Sequence, residues 1–149
     1  MSTTETIVES ITGNVRNHIQ TYLESNGEDG HIYRGNPTLL LITRGRKTGL
    51  LRRQALIYGV DGDRYVVVAS NRGSPRFPAW YLNLRSHPGV QLQVADERFA
   101  AIAREVSGEE RQRLWELMIG VYPSFNRYQE KTDRIFPIIA FECAGASLD

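Results

Sequence analysis

Between residues 38 and 70 three apolar runs follow one another with only short connections, and no other feature of the chain limits its fold so tightly. The first runs from Thr38 to Arg44 around Leu39-Leu40-Leu41-Ile42. The second runs from Arg53 to Val60 around Ala55-Leu56-Ile57-Tyr58, and the third from Arg64 to Ser70 around Val66-Val67-Val68. Asp61-Gly62-Asp63, between the last two, is a tight-hairpin signal. Valines in series predict a central, buried strand. No βαβ alternation and no Gly-x-Gly-x-x-Gly occurs, which argues against a Rossmann arrangement.

The same logic continues downstream. Val90 to Val94 alternates apolar and polar, turns at Ala95-Asp96-Glu97 and returns as Arg98 to Ala103. A last strand is expected from Phe136 to Glu142, with Pro137 marking a sheet edge or a strand start. The sequence thus predicts a mainly β fold: a small six-stranded antiparallel barrel with peripheral helices. Apolar residues at Ile7, Val8, Ile11, Val15, Ile19, Tyr22 and Leu23 predict an amphipathic helix over residues 3–25. That helix lacks a basic face, so packing on the domain is favoured over contact with a membrane surface. Pro78 opens a short helix, Ala79 to Leu84, which must end before His87-Pro88. Ser107 and Glu110 have capping-box spacing and start a helix running to about Met118.

Composition narrows the class. A chain of 149 residues is read as one domain, 1–149, large enough to bury a core without staples. A net charge of +1 argues against bulk nucleic-acid binding. The single cysteine, Cys143, cannot form an internal disulfide. His18, His31 and His87 stand apart, without metal-ligand spacing. The first twenty residues include Glu5 and Glu9 and no continuous apolar stretch, so no signal peptide is expected. A cytoplasmic protein is predicted.

Against that neutral background, the segment from Thr43 to Arg53 carries five cations: Arg44, Arg46, Lys47, Arg52 and Arg53. No acidic residue interrupts the stretch from Asn36 to Val60. Gly45 and Gly49 allow a tight turn, so a cationic loop joins two strands and suits phosphate or several carboxylates. It is no Walker loop, because Lys47 follows Arg46 and leads into a strand. Two further clusters can build a site. Ser70-Asn71-Arg72-Gly73 leads to Pro78-Ala79-Trp80-Tyr81-Leu82-Asn83, offering hydroxyl, amide and backbone donors to a planar ligand. Tyr122, Phe125 and Tyr128 recur at three-residue spacing and share a face if helical. Core packing is the default for each aromatic taken singly.

Four stretches together carry a resemblance. They are Asn-Pro-Thr-Leu-Leu-Leu-Ile-Thr-Arg-Gly-Arg-Lys-Thr-Gly, Asp-Gly-Asp-Arg-Tyr-Val-Val-Val-Ala-Ser-Asn-Arg-Gly, Pro-Ala-Trp-Tyr-Leu-Asn-Leu and His-Pro-Gly-Val. In this order they closely resemble the deazaflavin-dependent nitroreductases of actinobacteria, over about residues 31 to 142. The resemblance implies a split β-barrel of the FMN-binding type that binds coenzyme F-420, an 8-hydroxy-5-deazaflavin whose tail carries a phosphodiester and glutamates. By position, Arg46, Lys47, Thr48, Gly49 and Arg52, with Arg53 beside them, would hold the tail. Ser70, Asn71, Trp80 and Asn83 would line the deazaflavin, and Ile57, Tyr122, Phe125 and Tyr128 would face the substrate. Phe125 and Ile57 stand where the best-known members have tyrosine, which makes the substrate wall less polar. The expected activity is hydride transfer from reduced deazaflavin to an electron-poor acceptor (a quinone, an enone or a nitro compound), with Tyr122, Tyr128 or Ser70 polarising or protonating it. The alternatives are an FMN reductase on the same barrel and a non-catalytic cofactor-carrying or nucleic-acid-binding module.

Overall fold

The computed structural model describes residues 7–8, 13–33 and 35–147. Its strands are β1 (Ile7–Val8), β2 (Ile32–Tyr33), β3 (Asn36–Arg44), β4 (Leu51–Ile57), β5 (Gly59–Asp61), β6 (Arg64–Val68), β7 (Gly89–Val94), β8 (Glu97–Glu105) and β9 (Ile138–Ser147). Its helices are α1 (Gly13–Glu24), α2 (Ala79–Ser86), α3 (Gly108–Val121) and α4 (Ser124–Glu130). The strands form one sheet in the order β1-β4-β3-β7-β8-β9-β6-β5, with β2 paired to β3. All pairings are antiparallel except that of β1 with β4.

The sheet curls until its inner faces meet on one core. Leu39, Leu41, Val67, Leu92, Phe99, Ile139 and Phe141, from five different strands, pack in a single cluster with Trp80 and Leu84 of α2. This explains why the first and third apolar runs are continuous rather than alternating. In β3, Leu39 and Leu41 point inward while Leu40 packs outward on Ile19 and Tyr22 of α1. In β6, Val67 points inward, while Val66 and Val68 pack outward with Leu114 and Met118 of α3. Both strands are buried on both faces, and each such side chain contributes roughly 1.5–3 kcal/mol.

Three expectations change, and a fourth, for Pro137, is narrowed to one of its two alternatives. The run from Arg53 to Val60 is not one strand but β4 and β5, divided at Tyr58; with the short β1 and β2 in addition, the described strands number nine rather than six. The amino-terminal helix spans Gly13–Glu24, and Ile7–Val8 is instead a strand laid along β4, in register with Leu51 and Arg52. Residues 3–6 and 9–12 of the expected helix lie outside the described residues. Ser107 occupies the N-cap of α3 without a side-chain cap bond; Glu110 turns away to meet Arg64 at 2.8 Å, so no capping box forms. Pro137 precedes β9, which is a central strand between β8 and β6, so it marks a strand start and no edge.

Helix α1 docks as the apolar stripe predicts. Fully buried Tyr22 donates to the carbonyls of Thr38 (3.0 Å) or Gln93 (3.3 Å) and accepts from the Ala95 N–H at 2.7 Å. Burial pushes its phenol up to about 12. Among the described residues no helix is long and apolar enough to cross a membrane.

An ion-pair network ties the β5–β6 hairpin to α3. Asp61 receives Arg64 at 2.6 Å and Arg113 at 2.7 Å, and Arg64 also reaches Glu110. The Arg113 hydrogen bond, then that of Arg64, lowers the Asp61 carboxyl from 3.8 to about 2. A depressed folded-state value means that the stabilisation is present above the ordinary value and vanishes as pH falls through the depressed one. Asp61→Asn should therefore lower the melting temperature at pH 7, and its deficit against wild type should close between about pH 4 and pH 2. Thermal melts of both proteins across that range check this; a deficit constant with pH would remove the ion pairs as its cause.

Candidate functional site

Where β4 and β6 part, a cleft of about 850 Å³ enters the molecule. Leu56, Ile57, Val68 and Ser70 line its strand side, Pro78 and Trp80 its helix side, and Tyr122, Phe125 and Tyr128 its outer wall. The cleft continues past Gln54 to His18 and Tyr33, whose rings stack 4.1 Å apart. Seven of the predicted residues thus meet here: Ile57, Ser70, Asn71, Trp80, Tyr122, Phe125 and Tyr128.

The tyrosine segment gets its geometry from a break between two helices. Helix α3 runs through Gly120 and ends at Tyr122, which is extended (φ −144°, ψ 91°), and Pro123-Ser124 opens α4. Tyr122 and Tyr128 then touch phenol to phenol at 3.1 Å, and Phe125 meets the Tyr122 ring edge-on at 5.0 Å. The Tyr128 hydrogen bond holds the Tyr122 phenol below its ordinary value, helped by the nearby Arg127 and Arg72 guanidiniums. The same bond, followed by burial, pushes Tyr128 up. Phe125 is buried against both and packs rather than bonds.

The loop carrying Ser70 is strained. Asn71, Arg72 and Gly73 are all left-handed, with φ of 46°, 55° and 83°. A side chain at Gly73 would stand 2.6 Å from the Tyr128 carbonyl oxygen, so this loop and α4 can approach only through glycine. The two non-glycine residues in this region each cost on the order of 1 kcal/mol or more. Arg134 offsets that strain. Its guanidinium donates to the carbonyls of Ala69 (2.9 Å), Ser70 (2.6 Å) and Ser74 (3.0 Å) and lies between the rings of Phe77 and Phe136 at 5.0 and 4.8 Å. Burial lowers its affinity for the proton. The Ser70 hydroxyl makes no cap hydrogen bond to this turn, and the residue lines the cleft. Arg72, Arg76 and Phe77 also line the cleft, and the sequence reading assigned them no role.

The cationic loop lies beside the cleft rather than in it. Arg46, Lys47, Thr48, Gly49, Arg52 and Arg53 do not line the cavity. The loop closes on itself through Gly45 N–H to Leu50 O (2.7 Å), Gly49 N–H to Gly45 O (2.8 Å), Arg44 to Gly49 O (2.7 Å) and Leu50 N–H to Thr48 Oγ1 (3.2 Å). Thr48 and Gly49 are therefore partly committed to holding the turn. Lys47 and Arg52 meet no carboxylate among the described residues. Asn83 takes a place different from the expected one. It is buried beneath the loop, where its Oδ1 accepts from the Arg46 backbone (3.2 Å) and guanidinium (3.0 Å) while its Nδ2 donates to Thr43 (3.2 Å). It does not line the cleft but holds Arg46 against α2. Trp80 lies three residues earlier on the same helix, about 4.5 Å along its axis. Loop and cleft are thus joined by one turn of α2.

A cleft with a phenol pair on one wall thus lies one helical turn from a loop in which Lys47 and Arg52 meet no carboxylate among the described residues. The family model of the F420H(2)-dependent quinone reductases matches residues 14–142, and the chain belongs to that family. It is 38% identical over 129 residues to the F420H(2)-dependent quinone reductase of Mycobacterium tuberculosis strain H37Rv, covering 84% of this chain and 87% of that one. Among solved structures it is similar to an F420-H2 dependent reductase, FDR-A, with a TM-score of 0.67 and 38% identity over 71% of this chain and 94% of that one. A domain-swapped dimer also matches, with a TM-score of 0.70 and 35% identity over 85% of this chain and 92% of that one.

The clamp formed by Arg134 gives a direct test. Arg134→Gln leaves one amide to serve three carbonyls, and losing charge-assisted bonds costs about 1.5–3 kcal/mol each. The melting temperature should fall by roughly 5–10 °C, and the cofactor KM should rise. Arg134→Lys, which keeps the charge but not the fork, should recover only part of either. Full recovery by lysine would mean that charge alone matters at this position.

Proposed function

We propose that this chain reduces quinones with reduced coenzyme F-420 as the electron source. The observation that carries the reading is the pairing of a phenol-walled cleft with a cationic loop one helical turn away, Lys47 and Arg52 having no carboxylate partner among the described residues. When bound, the coenzyme supplies hydride. Arg46, Lys47, Thr48, Gly49, Arg52 and Arg53 bind its phosphodiester and glutamate tail, with Asn83 orienting Arg46. Trp80, Ser70 and Asn71 orient the ring. Phe125 and Ile57 exclude water from the acceptor side, and Tyr122 or Tyr128 donates a proton to the quinone oxygen that gains charge, an interaction that strengthens in the transition state. Ser70 Oγ can polarise the opposite carbonyl. Enones and nitro compounds belong to the same electron-poor class. The curled sheet is read as a split β-barrel, and the whole chain as one such domain working in the cytoplasm.

Titration of the purified protein with F-420 and with FMN, followed by fluorescence, tests the reading. F-420 should bind much more tightly, since one monoester phosphate cannot use this many cations; equal affinity would sink the assignment. Replacing both Lys47 and Arg52 by alanine should weaken F-420 binding at least about tenfold and flatten its dependence on salt.

The phenol pair is tested separately. Tyr128→Phe should lower kcat toward a quinone such as menadione while F-420 affinity stays within a few-fold. Loss of cofactor binding or of stability instead would make the segment core and place the acceptor wall elsewhere.

A further inference from the structure

The cleft coincides with an unzipped length of β-ladder. Hydrogen bonds from Tyr58 N–H to Pro37 O (3.1 Å) and from Gly45 N–H to Leu50 O (2.7 Å) fix the phase of the β3–β4 pairing. Hydrogen-bonded pairs alternate with non-bonded ones in an antiparallel ladder. The even-numbered residues of β4 therefore bond to β3, and the main-chain groups of Ala55 and Ile57 point to the opposite side. On β6, the bond from Ala69 N–H to Pro137 O (2.8 Å) assigns odd-numbered residues to β9. The main chain of Val68 thus points the other way, toward β4.

The β5–β6 register, Asp61↔Arg64 and Gly59↔Val66, extrapolates to Ile57↔Val68 and Ala55↔Ser70. Pairing stops at Gly59, and all four of those residues line the cleft. At Val68 this matters, since the residue is only 6% exposed and the β9 ladder leaves its N–H and C=O directed to the cleft side. Buried main-chain polar groups are rarely left without a partner.

Resting on the F-420 reading, we infer that the facing main-chain rims of Ala55, Ile57 and Val68 hold the imide edge of the deazaflavin ring, which takes the place of the missing ladder bonds. Each rim presents both N–H donors and C=O acceptors. A quinone offers acceptors only and can satisfy half of them. The pyrimidinedione edge of the ring, C=O/N–H/C=O, offers both, much as an added strand would. Side chains are not needed for this recognition, and Val68 contributes through its backbone alone.

Two changes test it on the full chain. The first is F-420 methylated at the imide nitrogen, which removes the one donor of that edge. The second is an ester bond in place of the Ile57 amide, which removes one main-chain N–H and leaves the side chain in place. Each should weaken binding roughly five- to tenfold, the scale of one lost hydrogen bond in a partly buried site. Isotope-edited infrared spectra should show the imide carbonyl bands shifted to lower frequency in the complex, and less so in the ester variant. An ester at Leu56, whose N–H lies in the β3 ladder, should cost stability without altering the preference for unmethylated F-420. If F-420 binds and its methylated form binds equally well, the main-chain slot is wrong while the cofactor assignment stands. If neither form binds, both fall.

Discussion

One extended segment, β4 and β5, serves two neighbours in turn, and the site follows from that. Up to Tyr58 its inner edge bonds to β3; from Gly59 its other edge bonds to β6. A strand can pair on both edges at once, and β4 does so at Leu51 and Arg52, where β1 lies on its outer edge; from Gln54 onward each half is paired on one edge, so β3 and β6 diverge on either side of the crossover and the sheet opens as a wedge. Tyr58 holds the apex. Its ring is buried in the central cluster, its hydroxyl meets His31 at 2.7 Å, and Tyr65 packs edge-on at 5.4 Å. Next to it, a side chain at Gly59 would collide with Leu117 at 2.6 Å and Met118 at 2.7 Å, so glycine lets α3 seat directly on the crossover. Helix α3 then delivers Tyr122 to the open side.

Charge is segregated in a way that the net value of +1 conceals. On the α3 side, Asp61, Glu110 and Glu142 are matched with Arg64, Arg104 and Arg113. At the cationic loop, Arg46 is held by a neutral amide, and Arg134 under the Ser70 loop is held by three carbonyls and two rings. A carboxylate in either place would neutralise the cation. An amide or a carbonyl orients it and leaves its charge available, which suits an anionic ligand at the loop and rigid support beneath the cleft.

Much of the sheet could be read from the sequence because burial on both faces leaves an unmistakable apolar run, as in Leu39-Leu40-Leu41 and Val66-Val67-Val68. The β7–β8 hairpin was equally plain from its alternation. The division at Tyr58 was not, because Ala55 to Tyr58 reads as one apolar run and the break comes from a change of partner strand. The cleft residues Ser70, Asn71, Trp80 and the tyrosine segment were legible through the resemblance, and the cation run from charge alone. The contact of Asn83 with Arg46 was not legible, since nothing local shows that an amide on α2 faces that loop. Arg134 carried no signal; in Lys131-Thr132-Asp133-Arg134 it looks like one more solvated charge, and its clamp joins residues about sixty positions apart.

Separating the anchors has a consequence for specificity. If the tail is held by the cationic loop and the ring edge by main chain, no cofactor contact depends on the side chains at Ile57 and Phe125. Those positions, tyrosine in the best-known nitroreductases that the chain resembles, are then free to change without loss of the coenzyme. Phe125 keeps the ring contacts to Tyr122 and Tyr128 that order the wall, while removing a third phenol that would compete for their hydrogen bond. The remaining pair has one donor and one acceptor in a fixed relation, with Arg72 close enough to favour the charged form of either phenol. On the proposed function, Ile57 and Phe125 around that single polar pair would suit an acceptor that is itself mostly apolar, with its reacting oxygen at one edge. A quinone has that shape.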